Sequence, residues 1–329
     1  MGLGALFDGN NRVPLDRYMA WNNQQFYNSE TCLGPHGHFV TAPELTPLFG
    51  YALAEWVMQV VDGFEGEITL LELGPGRGLL MQDVLMALKR RGWNRAVKMA
   101  LIEQSELLQL EQKKQLTEFK DQITWFASVN DVKANGTVVI LANEFFDALP
   151  IQQWCYQQGQ LQQRYVQQNK GLEFVWQAAE GGSRAAGANK VFETCAVGQD
   201  IYNQCMQLLA DYGGAMLMID YGDWQGAGDT LQAIYQHQKV DPLSKPGQVD
   251  LTAHVRFEEY AKLTPEGWTC NYETQGQFLR KLGIEALFWA AIQQNPLDQA
   301  RIKNVQHRLL GEDDTGMGKL FKVMEVRAP

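Results

Sequence analysis

Two short stretches hold the residues whose types and spacing could do chemistry. In LLELGPGRGLL, residues 70–80, Glu72 lies near the end of an apolar run, and Gly74, Gly76 and Gly78 follow with Pro75 and Arg77 between them. A glycine-rich turn between strand and helix lets backbone approach a ligand, and the helix start beyond it offers unpaired N–H groups. In NEFFDALP, residues 143–150, Glu144 and Asp147 stand three apart, so one helical turn would set both carboxylates on one side. Such a pair suits a cationic nucleophile. A guanidinium, with an intrinsic pKa above about 12, starts charged. Two carboxylates can grip its fork, hold the charge on the nitrogens that do not attack, and take up a proton late. Phe145 and Phe146 could wall such a site, although packing and helix capping would account for the same residues.

The glycine spacing narrows the ligand. A phosphate-cradling P-loop needs Gly-Lys-Ser/Thr, which is absent here, and the dinucleotide fingerprint is G-x-G-x-x-G rather than G-x-G-x-G. The pattern E-x-G-x-G-x-G resembles motif I of class I S-adenosyl-L-methionine-dependent methyltransferases. That resemblance implies that Gly74, Gly76 and Gly78 line the cofactor, that Glu72 meets its ammonium, and that Glu103 in ALIEQS accepts its ribose hydroxyls. An NAD site would use an acid in the position of Glu103, so that residue alone does not choose between cofactors. Ser128, after the third strand, is assigned beside the adenine, and Asn143 to the cofactor side of the second stretch. Arg77 is open between pairing with Glu72 or a neighbouring carboxylate and reaching the cofactor carboxylate. His254 in DLTAHV is a candidate base, and equally a group that orients a carboxylate or packs near the site. Asp220, after the fifth strand, points to the same crevice or caps its own turn. His36 and His38 lack metal-ligand spacing, no H-E-x-x-H occurs, and no metal is expected. No G-x-S-x-G elbow supports serine hydrolysis.

The elements around these stretches alternate. Short apolar runs at 67–74, 96–105, 122–128 and within 136–150 read as buried parallel strands, with helical patterns at 79–91 and 106–119 between them. This predicts a doubly wound α/β sheet, with the site at the strands' carboxyl ends. Helices are expected at 14–30 and 45–61, a Gly/Pro/Thr loop at 31–44, antiparallel hairpins at 151–176 and a mobile loop at 179–190. A helix at 198–212 and a fifth strand at 213–222 follow, then an irregular stretch at 223–272, a helix at 276–293 and a closing strand at 318–326. The expected organisation is an N-terminal helical cap, 1–66, contributing to the site. The Rossmann-like core, 67–329, carries insertions at about 151–197 and 223–275.

Composition sets outer limits. The 329 residues carry a net charge of −10, which argues against nucleic acid or an anionic membrane as main partner. Five cysteines without a C-x-x-C pair suit a reducing compartment. No apolar run reaches the length of a membrane span, and the N-terminus has neither a secretory nor an organellar pattern.

LLELGPGRGLLMQDVL and NEFFDALP together resemble the MidA family of class I methyltransferases. LDRYMAWNNQQFY, GHFVTAPELTPLFGYALAEW, GDTLQAIYQHQKVDPLSKPGQVDLTAHVRF, TQGQFLRKLGI and MGKLFKVMEV extend the likeness from about Leu15 to Val326. The resemblance implies an S-adenosyl-L-methionine-dependent protein arginine N-methyltransferase whose acceptor is a respiratory complex I subunit and whose product is symmetric dimethylarginine. The family includes mitochondrial relatives, and the lack of an organellar presequence pattern leads us to expect a cytoplasmic bacterial member. Two positions depart from the family: Gly37-His38-Phe39 where Gly-Asp-Phe is usual, and Gln25-Phe26-Tyr27 where Gly-Tyr-Tyr is usual. They keep open a non-catalytic assembly chaperone that retains the cofactor, while an NAD-dependent oxidoreductase rests on the strand–helix order alone.

Overall fold

A computed structural model of the protein describes residues 2–7, 11–29, 41–179, 190–226 and 228–329. Seven strands make its main sheet: β1 (Ile68–Leu73), β2 (Val97–Ile102), β3 (Ile123–Phe126), β4 (Thr137–Asn143), β5 (Gly214–Asp223), β6 (Thr269–Thr274) and β7 (Phe321–Arg327). Their order is β3-β2-β1-β4-β5-β7-β6, with the two-residue strand Val255–Arg256 running parallel beside the end of β5. The first five strands in that order are parallel, and β7 runs antiparallel between β5 and β6. The chain leaves β1 for β2 on one side and returns at β4 on the other. This is the topological switch, where a crevice opens beyond the strand ends.

Alternation along β1 explains the two covered faces. Leu70 joins one apolar cluster and Leu71 the other. On the first face lie α2 (Pro47–Val60) and α3 (Leu79–Arg90), with Phe49, Leu53 and Trp56 packed among Ile68, Leu80 and Val84. On the second lies α5 (Ala196–Tyr212), burying Tyr202, Cys205 and Leu209 against Val138 and Ile140. The fold is Rossmann-like α/β. Helix α2, grouped with the cap on sequence, is part of the sheet's own helical layer. At its crossing with α3, a Cβ on Gly50 would come within 2.4 Å of Asp83 Cβ, so only glycine permits this approach.

The segment after β4 forms a five-stranded antiparallel sheet from Gln152–Gln157, Gln160–Gln168, Leu172–Ala178 and Phe192–Thr194, joined by Arg12–Pro14 from the N-terminus. Helix α1 (Leu15–Tyr27) packs Leu15, Tyr18 and Met19 on this unit with Val166 and Leu251. The stretch 223–272, read as irregular, instead contains a three-stranded sheet (Gln232–Tyr235, Gln238–Val240 and Asp250–Thr252), a short helix at Phe257–Ala261 and β6. The helix expected over 276–293 is two, α6 (Gln275–Lys281) and α7 (Ile284–Gln294), because Gly283 breaks it in left-handed backbone at φ +78°. Helix α8 (Gln299–Leu310) follows, a helix the sequence reading did not include. Helix α4 (Glu106–Gln115) links β2 to β3. Residues 30–40, with His36, His38 and the Gly37-His38-Phe39 departure, lie outside the described residues, as do 180–189 of the loop expected to be mobile. The described end of the 31–44 loop holds a short helix, Ala42–Leu45, closed by a Thr41/Glu44 capping box.

Two buried asparagines of α1 stitch these pieces together. Asn23 Nδ2 donates to Ala148 O at 2.9 Å and Leu251 O at 2.8 Å, and its Oδ1 accepts from Leu251 N–H at 3.1 Å. Asn22 donates to Val249 O at 2.8 Å and accepts from Gly247 N–H at 2.6 Å. Backbone groups that no strand partner satisfies are met by side chains more than a hundred residues away in sequence. Asn23→Ala leaves those groups unpaired in a buried place. It should lower stability by about 1–3 kcal/mol in chemical denaturation, whereas Asn28→Ala, which removes only an exposed bond to Gln24 O, should change it little.

Candidate active site

The loop Gly74–Gly78 crosses the switch point with positive φ at all three glycines: 60° at Gly74, 51° at Gly76 and 81° at Gly78. A Cβ on Gly74 would meet the Phe145 ring at 2.6 Å, so the loop packs directly on the second motif. The space around Gly76 is open, and Gly78 forms the N-cap of α3. Gln112 of α4 holds the loop in place. Its Nε2 donates to Gly76 O at 2.7 Å and to Glu103 Oε2 at 3.2 Å, and its Oε1 accepts from Trp125 Nε1 at 2.8 Å. This buried glutamine fixes the distance between loop and acid without charge. Its one sequence-level cue is a polar residue on the inner face of a helix. Glu103 also accepts the Ser105 N–H at 2.8 Å, and burial holds its carboxyl above the ordinary range.

Glu72 is buried, and burial pushes its carboxyl up to about 8, against the opposing pull of the Met81 N–H. Its Oε2 has no hydrogen-bond partner among the described residues, and neither has Asn143 Oδ1 at the end of the adjacent strand. Buried acceptors left without donors are costly and mark a place for a ligand that supplies them. S-adenosyl-L-methionine would suit these acceptors, its ammonium at Glu72 and its ribose hydroxyls at Glu103, with the space beside Gly76 open.

The second motif departs from the expected helical turn. Residues 144–149 are bends and turns, and Glu144 takes left-handed backbone at φ +51° while its N–H bonds Ile219 O at 2.9 Å. Such a conformation in a non-glycine residue is strained and is held by its surroundings. Glu144 Oε1 accepts from Ala42 N–H at 3.0 Å and Asn143 Nδ2 at 3.2 Å. Burial first, then the nearby Asp220, lifts the Glu144 carboxyl to about 7. Asp147 is pushed well above its ordinary value by burial and by Asp220, Glu144 and Asp250. Asp220 is spent on the backbone: its Oδ2 accepts from Phe145 N–H at 3.2 Å and Phe146 N–H at 2.8 Å, and its Oδ1 from Tyr221 N–H at 3.0 Å. It shapes the turn that carries the other two acids. The i,i+3 pair is thus brought together, with Asp220 in electrostatic reach of both acids and Asp250 in reach of Asp147. No ion pair among the described residues neutralises any of the four.

The remaining candidates lie as follows. His254 stands edge-on to Tyr221 at 4.3 Å between ring centroids, and burial with Lys322 and Lys239 holds its imidazole below the ordinary value. Its charged neighbours are those lysines and Asp223, and none of the four acids is among them. Ser128 donates to Gln204 Oε1 at 3.1 Å and accepts from Asn130 N–H at 3.3 Å. Arg77 pairs at 3.9 Å with Glu44 of the Ala42–Leu45 helix.

Comparisons with known proteins follow this geometry. Residues 52–274 match the sequence pattern of a family of S-adenosyl-L-methionine-dependent methyltransferases. The mitochondrial protein arginine methyltransferase NDUFAF7 homolog of Caenorhabditis elegans is 31% identical over 294 residues, 79% of this chain and 68% of that one. The Danio rerio NDUFAF7 protein is 30% identical over 336 residues, 92% of this chain and 79% of its own. A Burkholderia thailandensis crystal structure bound to S-adenosyl-homocysteine superposes with a TM-score of 0.83 at 26% identity, covering 99% of this chain and 90% of that one.

Two outcomes follow. Glu72→Gln removes the charged acceptor, so S-adenosyl-homocysteine affinity by calorimetry should fall about 10–100-fold. The second concerns pH. Glu72, Glu144, Asp220 and Asp250 have folded-state values of about 8, 7, 7 and 6, all above the ordinary carboxylate range. The native chain therefore keeps protons that the unfolded chain has lost, and stability is full at acid pH and declines as these groups ionise. The melting temperature of the ligand-free protein should fall as pH climbs from about 5 to about 8.

Proposed function

The chain belongs to the family of S-adenosyl-L-methionine-dependent methyltransferases, and we propose that the group it methylates is the guanidinium of a protein arginine. The observation that carries this reading is the pair Glu144 and Asp147, buried beside the cofactor loop with no cation of the described chain to balance it. Among the described residues, no cluster of His, Cys, Asp and Glu has metal-holding geometry. A guanidinium supplies the missing charge and donors in a planar fork that matches carboxylates. The names of the Caenorhabditis elegans and Danio rerio relatives point the same way.

When bound, S-adenosyl-L-methionine supplies a methyl group on a sulfonium centre. Glu144 and Asp147 hold the guanidinium, keep its charge on the nitrogens that do not react, and aim the third across the loop packed on Phe145. The N–C bond would form as the S–CH3 bond breaks, its electron pair leaving with S-adenosyl-homocysteine; the attacking nitrogen would then give up one N–H proton, and Glu144, its carboxyl lifted to about 7, is suited to hold it. Asp220 keeps the turn in shape through the Phe145 and Phe146 N–H groups. By the family resemblance, the proposed acceptor is a subunit of respiratory complex I and the setting a bacterial cytoplasm. No described helix is long and apolar enough to cross a membrane.

Glu144→Gln should reduce radiolabelled methyl transfer to arginine in protein extracts by about 100-fold or more, with S-adenosyl-homocysteine affinity unchanged. Label that persists at the wild-type rate, or that appears on another residue type, would refute the guanidinium clamp.

A further inference from the structure

We propose that Asp250 is a third acceptor-binding carboxylate, completing the guanidinium pocket from the strand Asp250–Thr252, and that Tyr27 of α1 sets its orientation. This rests on the arginine reading above and adds to it a wall that neither motif contains.

Three observations carry it. Residues two apart on a strand share a face. Asp250 and Thr252 are both buried, and Thr252 Oγ1 has no hydrogen-bond partner among the described residues. A buried hydroxyl without a partner beside a carboxylate marks a surface facing a polar ligand. Next, this strand borders the clamp: Ala253 N–H, one residue on, donates to Asp147 O at 2.9 Å, and the charge of Asp250 acts on Asp147. Finally, Asp250 is held by a neutral group. Tyr27 OH donates to its Oδ1 at 2.8 Å, and this is the hydrogen bond that opposes the effect of burial on its carboxyl. By contrast, Asp220 is occupied by backbone N–H groups through both oxygens. A guanidinium has five N–H donors, more than one fork on one carboxylate can use. A third acid beside the pair gives the remaining donors a partner.

Tyr27 has a second attachment. Its carbonyl accepts from Ser105 Oγ at 2.8 Å, and the Ser105 N–H binds Glu103, the ribose acid. One residue of α1 is therefore linked to Glu103 by way of Ser105 and bonded directly to Asp250 through its phenol. Tyr27 is a positioning residue, and Asp250 is the group in contact.

The test uses the full chain with labelled S-adenosyl-L-methionine and protein extract from cells lacking the gene, varying the amount of extract. Asp250→Asn should raise the half-saturating amount of extract about tenfold or more, with S-adenosyl-homocysteine affinity within about twofold of wild type. Tyr27→Phe removes a donor that stabilises the ionised Asp250, which burial already disfavours. The rise of acceptor saturation with pH should therefore move to higher pH, a change that loosened packing would not cause. Circular dichroism and melting confirm that each variant folds. A folded Asp250→Asn enzyme with wild-type half-saturation overturns the assignment of Asp250 while leaving the arginine reading intact. A wild-type enzyme that labels no arginine overturns both.

Discussion

The cost of burying charge governs this molecule. Glu144, Asp147, Asp220 and Asp250 are gathered near the carboxyl ends of β4 and β5, Asp220 within β5 itself, and Glu72 lies on the adjacent β1; among the described residues no lysine or arginine forms an ion pair with any of them. Each carboxylate would rather be in water, and at Glu144 and Asp147 neighbouring acids add to the cost of ionising. A cation from the chain itself would relieve the strain and also fill the place that a ligand's cation needs. The protein instead uses neutral ties. Asn143, Tyr27 and backbone N–H groups hold the acids in position without adding charge.

The scaffold supplies this arrangement through its switch point. Parallel strands covered on both faces bring Leu73 and Asn143 to neighbouring strand ends, so the glycine loop and the acidic turn emerge side by side. The contact between Gly74 and the Phe145 ring then locks one to the other. The N-terminal segment adds what the sheet cannot. Ala42 reaches Glu144, and Tyr27 reaches both Ser105 and Asp250, so residues far apart in sequence become walls of one site. The acidic turn and the small sheet are anchored to the same helix through Asn23.

How much of this the sequence displays depends on whether the cause is local. The parallel strands are legible because double burial writes a continuous apolar run, as ITLLEL does in β1. The glycine loop is legible because only certain spacings let backbone approach a ligand. The strand Asp250–Thr252 is not, since three residues carry too little periodicity and its asparagine partners lie more than two hundred positions away. The same holds for Asp250, whose meaning comes from Tyr27 and Asp147 rather than from its neighbours in sequence. Gly283 was visible but silent, because a lone glycine in a helical pattern can be tolerated or can end the helix. The pairing of Glu144 with Asp147 came from a strained backbone angle at Glu144 instead of the helical turn their spacing suggests.

The position of β7 bears on how the protein comes into being. It is the last strand in the chain, yet it lies inside the sheet, pairing with β5 on one side and β6 on the other. During synthesis β5 and β6 therefore emerge with nothing to join them. The edge of β5, which carries Asp220 at its far end, stays open until residues 321–327 leave the ribosome. Contacts between segments so distant in sequence form late. The acidic turn held by Asp220 is thus among the last parts to become rigid, so newly made chains should pass through a stage in which the glycine loop is formed and that turn is not.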